Sequence, residues 1–405
     1  MTLSRFKTVL LATFVTLMAI SLITFPKASF EASLNGLDMW WRIVFPSLLP
    51  FFIVSEMLIG FGVVKFIGVV LEPIMRPIFR VPGVGGFVWA MGMASGFPAG
   101  AKFTARMRQE EQLTKIEAER LVSFTNSSNP LFIFGAVAVG FFGNPKVGLL
   151  LALAHYIGNV CVGLMMRFHG HSTETNDQKE ESRRFSIMDA FRVLHRTRLE
   201  EKRPLGKMLG DAVTSSIQTL LMIGGFIILF SVLNRLLTLV HVTDLFGLLL
   251  SVLFQTLHLS TELSVPLISG LFEITLGSDL TSKTDADLLG KVIIVSFILG
   301  FCGFSVQAQV ASILSDTDIR FKPFFIARLF HGLFASIFAL ILWKPIYVNL
   351  QAFESESTVP VMKWLEDSAT YSTTLFNQVT TFGPIFTILS LCIYIVILTR
   401  RSFIR

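Results

Sequence analysis

Long apolar runs, separated by shorter charged segments, dominate this chain. Residues 121–145 are 25 consecutive positions without Asp, Glu, Lys or Arg, residues 212–234 are 23 and residues 292–315 are 24. About 20 mostly apolar residues are enough for a helix to cross a bilayer. The pattern therefore predicts an all-α, polytopic integral membrane protein of roughly eight to ten helices.

Shorter apolar and amphipathic stretches extend this prediction along the rest of the chain. We expect further spans at 8–26, 43–64, 147–166, 245–261, 323–343 and 383–399, an interfacial helix at 30–42, a charged helix at 102–120 and an amphipathic helix at 186–203. Lys65, Arg76 and Arg80 outweigh Glu72, which predicts a cytoplasmic loop between the early spans.

Residues 81–101 differ from the other apolar runs, because they are rich in glycine and include Pro82 and Pro98. Basic residues flank both ends of this segment, although a single crossing would place its ends on opposite sides of the membrane. Glycine and proline are typical of backbone that is not continuously helical at membrane depth. We therefore predict a re-entrant or broken element here.

Composition and charge agree with a membrane protein and suggest its orientation. Only 15% of the residues are charged, against about 25% in soluble domains, which argues against a soluble enzyme, a nucleic-acid binder or a disordered chain. The loop 167–207 holds ten Lys and Arg against seven Asp and Glu. Because basic loops stay inside, we expect this loop and both termini to be cytoplasmic and residues 345–382 to lie outside.

A faint internal repeat suggests two membrane halves, 1–166 and 208–405, on either side of the loop 167–207. The segment from Gly96 to Lys102 matches the segment from Gly303 to Gln309 at three of seven positions. Duplicated halves with broken helices are typical of secondary transporters. The pattern therefore favours a carrier built from two pseudo-repeated halves.

Polar residues inside the apolar runs are candidates for a substrate path, because polar groups are costly in hydrocarbon. The densest group is Asn126, Ser127, Ser128 and Asn129, followed by Pro130. These side chains either line a substrate or ion site beside a weakened helical turn, or form the solvated cap of a helix that begins late.

Single polar residues elsewhere have two interpretations each. Glu273 either sits at a hairpin tip, where it carries a proton or binds substrate, or is an interfacial acid. Ser305, Gln307 and Gln309 either contact substrate or bridge helices. Lys102 either holds an anion near the N-terminus of a broken helix or anchors a cytoplasmic helix end.

Four further charged or titratable residues have less specific interpretations. Arg328 and His331 share one helix face, where they either bind an anion, titrate or snorkel to the interface. Glu56 and Glu262 are interpreted as ordinary interfacial acids.

Enzyme and metal signatures are absent when the motifs are read strictly. The glycine-rich segments lack the spacing of a dinucleotide site, a phosphate loop or a nucleophile elbow, and His169 and His171 have no further ligands at useful spacing. The three cysteines are odd in number and lie in apolar runs, so we expect packing roles. We expect no enzymatic activity, no cofactor and no metal, and transport that is passive, ion-coupled or driven by a partner.

Long motifs in this chain resemble one family of membrane proteins. The motifs are Val81–Met107, Trp40–Pro50, Thr125–Pro130 and Gly300–Gln309. They are similar to the YlbJ-type sporulation integral membrane proteins, also called stage V sporulation protein V, and the likeness covers nearly the whole chain.

The resemblance implies a fold of the nucleoside-recognition gate group, which includes the concentrative nucleoside transporters. In those transporters, two re-entrant hairpins and two broken helices surround the substrate. By this likeness, the run Cys302 to Phe304 corresponds to the second broken helix, and the run Ser95 to Phe97 is its counterpart in the first half. The nucleoside-contacting acid and amide motifs of that group are not intact in this chain.

The resemblance also implies a function: movement of dipicolinic acid from the mother cell into the forespore at the outer forespore membrane. Candidate substrate-binding residues are Gly96, Phe97, Lys102, Asn126, Ser127, Ser128, Asn129, Glu273, Gly303, Phe304, Ser305, Gln307 and Gln309. The expected partners are this small anion, the lipid bilayer and a proton or sodium as coupling ion, without nucleic acid; a homo-oligomer is left open. The alternatives are a non-transporting scaffold of a sporulation complex, with the loop 167–207 as its functional part, or a gate-type carrier of another metabolite such as a nucleoside.

Overall fold

The computed structural model describes residues 3–170 and 187–349, and this part of the chain is helical without a β-strand. The α-helices are α1 Leu3–Thr24, α2 Pro26–Met39, α3 Phe45–Gly60, α4 Val63–Phe79, α5 Val84–Ser95, α6 Ala99–Gln109, α7 Lys115–Thr125, α8 Pro145–Met166, α9 Ile187–Glu200, α10 Leu205–Leu239, α11 Val242–Thr256, α12 Ser264–Phe272, α13 Ile274–Ser282, α14 Leu288–Phe301, α15 Gly303–Leu314 and α16 Phe321–Leu342. Within the same residues, Trp40–Val44, Leu131–Phe141 and Trp343–Val348 are π-helical, and Thr261–Leu263 is a 3₁₀ turn. The predicted outer segment from residue 350 onward, the span 383–399 and the basic tail lie outside the described residues.

Four helical stretches in the described ranges are long and apolar enough to cross a membrane. They are Pro145–Met166, Leu205–Leu239, Leu288–Leu314 and Phe321–Val348. Two helix pairs bent by 102° and 82° raise the number to six if each pair counts as one span. The spans predicted at 147–166, 212–234 and 323–343 are confirmed as helices. The eight to ten helices expected refer to the whole chain, and the span predicted at 383–399 lies outside the residues that were counted.

Residues 63–79 form helix α4, so the loop predicted there is wrong. Its buried residues Val64, Gly68, Met75 and Phe79 recur at helical spacing, and α4 packs against α5 and α9. The charges that suggested a loop fit this helix, because Arg76 Nε lies 2.7 Å from Glu72 Oε1 one turn away.

The region 30–42 is helical, begins earlier than predicted and packs along α10. Ser231 Oγ donates to Ala32 O at 2.9 Å. Trp40 Nε1 donates to Leu220 O at 2.9 Å and is buried. Small residues allow the close contact, since a Cβ on Gly36 would lie 3.0 Å from Ile228 Cα.

The single charged helix predicted at 102–120 is two helices. α6 ends at Gln109, and Glu111 adopts a left-handed backbone conformation with φ 58°. α7 then begins with a capping box, in which Thr114 Oγ1 accepts from Glu117 N at 3.3 Å and Glu117 Oε2 accepts from Thr114 N at 2.9 Å. The start signal Thr-x-x-Glu overrides the continuous charge pattern.

The apolar run 121–145 is also interrupted. α7 ends at Thr125, residues 126–129 are not helical, and a π-helix begins at Leu131 after Pro130. Proline fixes its own backbone and disfavours helix at the residue before it, which accounts for the position of the interruption. Similarly, the run 245–261 ends early, because α11 stops at Thr256. The amphipathic helix predicted at 186–203 is confirmed as α9.

Two helical hairpins confirm the prediction of elements that turn back. α5 packs against α6, and a Cβ on Gly92 would lie 3.3 Å from Gly100 Cα. α12 packs against α13 in the same way, and a Cβ on Gly277 would overlap Gly270. Because only hydrogen occupies these positions, the two arms of each hairpin approach closely near its tip.

The repeat alignment and the proposed counterpart of the second broken helix are wrong in detail. Gly96 lies at the tip of the α5–α6 hairpin, whereas Gly303 lies in a broken span, where α14 and α15 continue as the 27-residue stretch Leu288–Leu314. Both glycines have positive φ, 85° and 62°. Gly-Phe pairs recur because glycine allows the backbone to leave a helix in either setting. The structural counterparts are hairpin with hairpin and interrupted span with interrupted span.

Candidate substrate-binding site

A cavity of about 570 Å³ lies beside the two hairpin tips and the two interrupted spans. This volume is in the usual range for a small-molecule site. Its lining comprises Ser95, Gly96, Phe97, Ser128, Asn129, Leu131, Phe132, Gly135, Ala136, Glu273, Ile274, Thr275, Ser305, Val306 and Gln309, with a further wall from Met39, Arg42, Val44, Pro46, Leu48, Ile223 and Ile227.

On one side of the cavity, Asn129 joins the first hairpin to the first interruption. Its Nδ2 donates to Ser95 O at 3.0 Å, and its Oδ1 accepts from Phe132 N at 2.8 Å. The Asn129 side chain also lies so close to Gly96 that a Cβ there would be 3.0 Å from Nδ2. The side-chain amide of Asn129 therefore links the hairpin tip to the start of the π-helix.

On the other side, Glu273 lies between α12 and α13, at the predicted hairpin tip. It is 5% exposed, and its Oε2 accepts from Leu276 N at 2.7 Å as the N-cap of α13. The second hairpin contacts the second interruption, since a Cβ on Gly303 would lie 3.2 Å from Gly270 O. Ser305 and Gln309 of α15 complete this side of the cavity.

Helix N-termini contribute to the lining, which includes residues from the first turns of α13, α15 and the π-helix at Leu131. The Glu273 and Asn129 side chains accept from N–H groups at the starts of α13 and the π-helix. α15 has no side-chain cap, and such an end carries free N–H groups and partial positive charge that favours an anion. Within the described ranges, the buried hydroxyls of Ser95, Ser128 and Ser305 have no hydrogen-bond partner.

The structure brings seven of the thirteen sequence candidates together in this cavity. These are Gly96, Phe97, Ser128, Asn129, Glu273, Ser305 and Gln309. Lys102, Asn126, Ser127, Gly303, Phe304 and Gln307 do not line it. The segment 123–128 is buried, so the alternative of a solvated helix cap is wrong.

Lys102 and Glu56 form a pair away from the cavity. Lys102 Nζ lies 3.2 Å from Glu56 Oε1 and 4.7 Å from the centre of the Phe52 ring. Ser215 Oγ donates to the same carboxyl oxygen at 3.3 Å. Glu56 is therefore a largely buried partner of Lys102, because α3 and α6 bring opposite charges together.

Two other candidates have packing roles. Gln307 Nε2 donates to Phe301 O at 3.1 Å, across the left-handed Cys302, so this side chain bridges the broken ends of its own span. The Phe304 ring packs between the rings of Phe272 and Phe301, at centroid distances of 5.7 and 5.4 Å.

Arg328 and His155 belong to the interior next to the cavity. From the sequence, Arg328 was considered to bind an anion, titrate or snorkel, whereas His155 was not considered. Arg328 is fully buried and donates to Asn126 O at 2.7 Å and to Ser123 O. Snorkelling of Arg328 is therefore excluded. His155 Nε2 accepts from Ser128 N at 3.0 Å. The signal that would have selected His155 is an ionisable residue within an apolar span.

At the far end of α7, a cluster of charges joins α7 to the start of α16. Arg320 Nε and Nη2 lie 2.7 and 2.8 Å from the two oxygens of Glu119, and His169 Nε2 lies 2.7 Å from Glu119 Oε2. Burial alone would raise the pKa of Glu119, but hydrogen bonds from Arg320 and His169 hold that pKa below its ordinary value. Hydrogen bonds from Arg108 likewise lower the pKa of Asp318.

A second cavity, of about 390 Å³, has a lining that includes several charged side chains already paired with one another. Arg203 contacts Glu201 at 2.8 Å and Asp211 at 3.0 Å, and Arg106 contacts Glu110 at 2.7 Å. Within residues 3–170 and 187–349, no group of three or more His, Cys, Asp or Glu is placed to hold a metal ion. The larger cavity is therefore the better candidate for substrate.

Comparison with known proteins identifies relatives of this chain. The family model "Gate: Nucleoside recognition" matches residues 41–145 and 220–317, and each segment contains one hairpin and one interrupted span. The sporulation integral membrane protein YlbJ of Bacillus subtilis (strain 168) is 59% identical over 99% of this chain and 98% of its own length. A solved structure of a CNTnw variant in an outward-facing state is 14% identical, covers 80% of this chain and 87% of its own, and has a TM-score of 0.40, which is too distant to bear on the site.

These matches confirm the resemblance found in the sequence motifs. The gate segments include both hairpins and both interruptions, and the identity to YlbJ extends over almost the entire chain. This chain belongs to the YlbJ family of sporulation integral membrane proteins, and it carries the nucleoside-recognition gate domain.

Proposed function

We propose that this protein carries a small organic anion, dipicolinate, across the outer forespore membrane into the forespore during sporulation. The observation that carries the proposal is the cavity between the hairpin tips and interrupted spans, with its unpaired hydroxyls and the uncapped start of α15. The sporulation setting is supported by the name of the relative that is 59% identical. The substrate is the one implied by resemblance to that family.

The chemistry of the cavity suits a flat anion. Carboxylates accept hydrogen bonds from the free N–H groups at the start of α15 and from the hydroxyls of Ser95 and Ser305. The rings of Phe97 and Phe132 supply apolar faces for an aromatic substrate. Helix dipoles thus take the place of a buried cation, because the one Lys or Arg in the described lining, Arg42, is exposed and paired with Asp38.

A carrier of a neutral metabolite such as a nucleoside is the second candidate. One observation favours it: the carboxyl of Glu273 lines the same cavity. A buried carboxyl repels a dianion but accepts hydrogen bonds from hydroxyl or amine groups. The transport experiment therefore also measures whether a nucleoside competes with dipicolinate for uptake.

Uptake into liposomes tests the proposal directly. The purified full chain is reconstituted around trapped terbium, whose luminescence reports entry of dipicolinate. We expect saturable uptake, and a fall of about three- to ten-fold on Ser95→Ala or Ser305→Ala, since each loses one hydrogen bond to substrate. Ser296→Ala is the matched control, because Ser296 Oγ is equally buried and unpartnered but does not line the cavity.

Each alternative has its own outcome in this assay. Absence of uptake by folded protein, with or without proton and sodium gradients, contradicts transport and favours the scaffold. Inhibition by a nucleoside but not by pyridine carboxylates supports the second candidate. Equal uptake by the two cavity variants and the Ser296 control removes the cavity from the path.

Orientation and internal organisation are part of the same proposal. We propose that both termini are cytoplasmic and that residues 345–382 lie on the outer side. The chain then has two membrane halves, 1–166 and 208–405, which are separated by the cytoplasmic loop 167–207.

A further inference from the structure

Arg328 occupies an unusual position for a guanidinium group. It lies on α16, inside a candidate span, and is fully buried. Within the described residues, no carboxylate forms an ion pair with it. Burying an unpaired ion costs several kcal/mol, so other groups must stabilise this charge.

Backbone carbonyls at the end of α7 stabilise Arg328. Its Nη1 donates to Asn126 O at 2.7 Å and its Nη2 donates to Ser123 O. These carbonyls have no helical partner because the helix stops at Thr125. The C-terminal end of a helix carries partial negative charge, so the interruption creates a site for a cation.

Neighbouring side chains complete this site without adding negative charge. His331 Nδ1 lies 3.0 Å from Nη1 of Arg328, and the Phe324 ring centre lies 5.5 Å from the guanidinium carbon. The ring favours a cation electrostatically. A ring nitrogen that faces the donating Nη1 acts as its acceptor. All the contacts therefore fit one positive charge held by neutral groups.

The second interrupted span has a different arrangement. There the carbonyl of Phe301 accepts from the neutral amide of Gln307 at 3.1 Å. Cys302 alone interrupts the helix, so fewer carbonyls lose their partners. The hydrogen bonds of the buried charge are thus made to the first interruption.

In membrane carriers, unwound carbonyls and half-helix C-terminal ends are the groups that coordinate a dissociable coupling cation. We propose that Arg328 is a resident cation that permanently fills this position at the end of α7, so that no sodium ion binds there. A guanidinium tethered to α16 needs no ion gradient to stay in place. The consequence for transport, that uptake needs no sodium at this interruption, rests on the proposed function; the cation site itself does not.

Thermal unfolding of the purified full chain tests the site without any substrate. In choline buffer, we expect Arg328→Ala to lower the Tm by about 5 °C or more, because two buried carbonyls lose their donors. Guanidinium at low millimolar concentration should restore part of this loss, and equimolar urea should not. Lys322→Ala is the matched control, an exposed cation on the same helix, and its Tm should stay within about 1 °C of wild type.

The response of the wild-type protein to sodium is the second test of the proposal. We expect the same Tm in sodium and choline, and the same dipicolinate uptake with and without a sodium gradient. A saturable, sodium-specific rise in the wild-type Tm overturns the resident cation, as does an alanine variant that is as stable as wild type or indifferent to guanidinium. If Arg328→Ala does not fold, Arg328→Lys, which keeps the charge, is compared with Arg328→Met; equal Tm values overturn the proposal.

The outcome for the site is distinguishable from the outcome for transport. Absence of uptake with the expected Tm pattern rejects the function but keeps the cation site. Robust uptake that depends on sodium, with a sodium-sensitive Tm, keeps the function and rejects the site.

Discussion

The interruptions after α7 and after α14 differ in how far the backbone leaves the helix. In the first, residues 126–129 are not helical and a π-helix follows. In the second, the single left-handed residue Cys302 separates α14 from α15. A guanidinium group, Arg328, serves the long interruption, and a neutral amide, Gln307, serves the short one. The difference teaches that a longer break exposes more carbonyl groups and needs a stronger, charge-assisted donor.

The two hairpins beside these interruptions are built alike but rest on different supports. Gly92 and Gly100 of the first hairpin both press against the carbonyl of Thr125, the last residue of α7. In the second hairpin, Gly277 packs against the backbone of Gly270, whereas the Cβ position of Gly270 meets the side chain of Ile298 in α14, and Gly270 O faces Gly303. A glycine on each arm of the first hairpin therefore allows the hairpin to pack closely against the end of α7.

The largest expected effect comes from filling these glycine contacts. Gly100→Ala would place a Cβ against the Thr125 carbonyl and 2.6 Å from Asn126 N. Because backbone cannot retreat as a side chain can, we expect a loss of more than about 3 kcal/mol of stability. Size-exclusion chromatography of the folded yield and the Tm measure it.

The control for this change is another glycine-to-alanine substitution in a helix. Gly225 in α10 has no atom within 4 Å of its Cβ position. Gly225→Ala should keep or slightly raise the Tm, since alanine favours helix by about 0.5–1 kcal/mol. Normal yield of Gly100→Ala would contradict the close fit of the first hairpin.

The next effect compares the donors at the two interruptions. Arg328→Met leaves two buried carbonyls without a donor, which we expect to cost about 2–6 kcal/mol at about 1–3 kcal/mol each. Gln307→Leu leaves one such carbonyl and should cost about 1–3 kcal/mol. Chemical denaturation of both variants in one detergent measures the difference. Equal losses would mean that the length of the break does not set the donor it needs.

A smaller effect is expected in the cavity, where Glu273 opposes an anion. Glu273→Gln removes the negative charge but keeps an oxygen that can accept from Leu276 N. We expect the KM for dipicolinate uptake to fall about five-fold, equivalent to about 1 kcal/mol. Loss of uptake with normal Tm would instead indicate that this carboxyl carries a proton or binds a donor of the substrate.

The smallest effect is the pH dependence of the ion pairs at the far end of α7. The pKa of Glu119 lies below its usual 4.5 and that of Asp318 below its usual 3.8. A depressed carboxyl pKa stabilises the fold above the ordinary pKa, and this stability is lost as pH falls through the lower folded value. We expect the Tm to decline in acid, and less steeply in Glu119→Gln. An identical acid profile for this variant would show that the pair contributes nothing.

Much of the membrane character was predictable, because it depends on runs of residues. The spans at 147–166, 212–234 and 323–343, the amphipathic helix α9 and the turn-back within 81–101 follow from hydropathy, glycine and charge. The helix α4 and the interruption at 126–129 did not follow. Charges on the face of a helix look like a loop, and a break within an apolar run leaves hydropathy unchanged.

Candidate site residues divide in the same way. Asn129, Glu273 and Ser305 stood out as polar residues in apolar runs, and the fold brings them to one cavity. Lys102 has the same kind of signal, yet it pairs with Glu56 elsewhere. A single sequence shows which polar side chains are costly to bury in the membrane. It does not show which hydrogen-bond or ion-pair partner each of them finds in the fold.

By itself, the sequence determined that this protein lives in a membrane, is helical, turns back near Gly96 and belongs with the YlbJ type, since composition, breakers and long motifs are properties of the linear chain. Only the tertiary structure decided which breaks meet, that Gly92 and Gly100 seat a hairpin on Thr125, and that Arg328 reaches the carbonyls of an interruption about 200 positions earlier. The physical reason is that buried polar groups must be satisfied by whatever lies beside them in space, and spatial neighbours are chosen by packing and not by sequence distance.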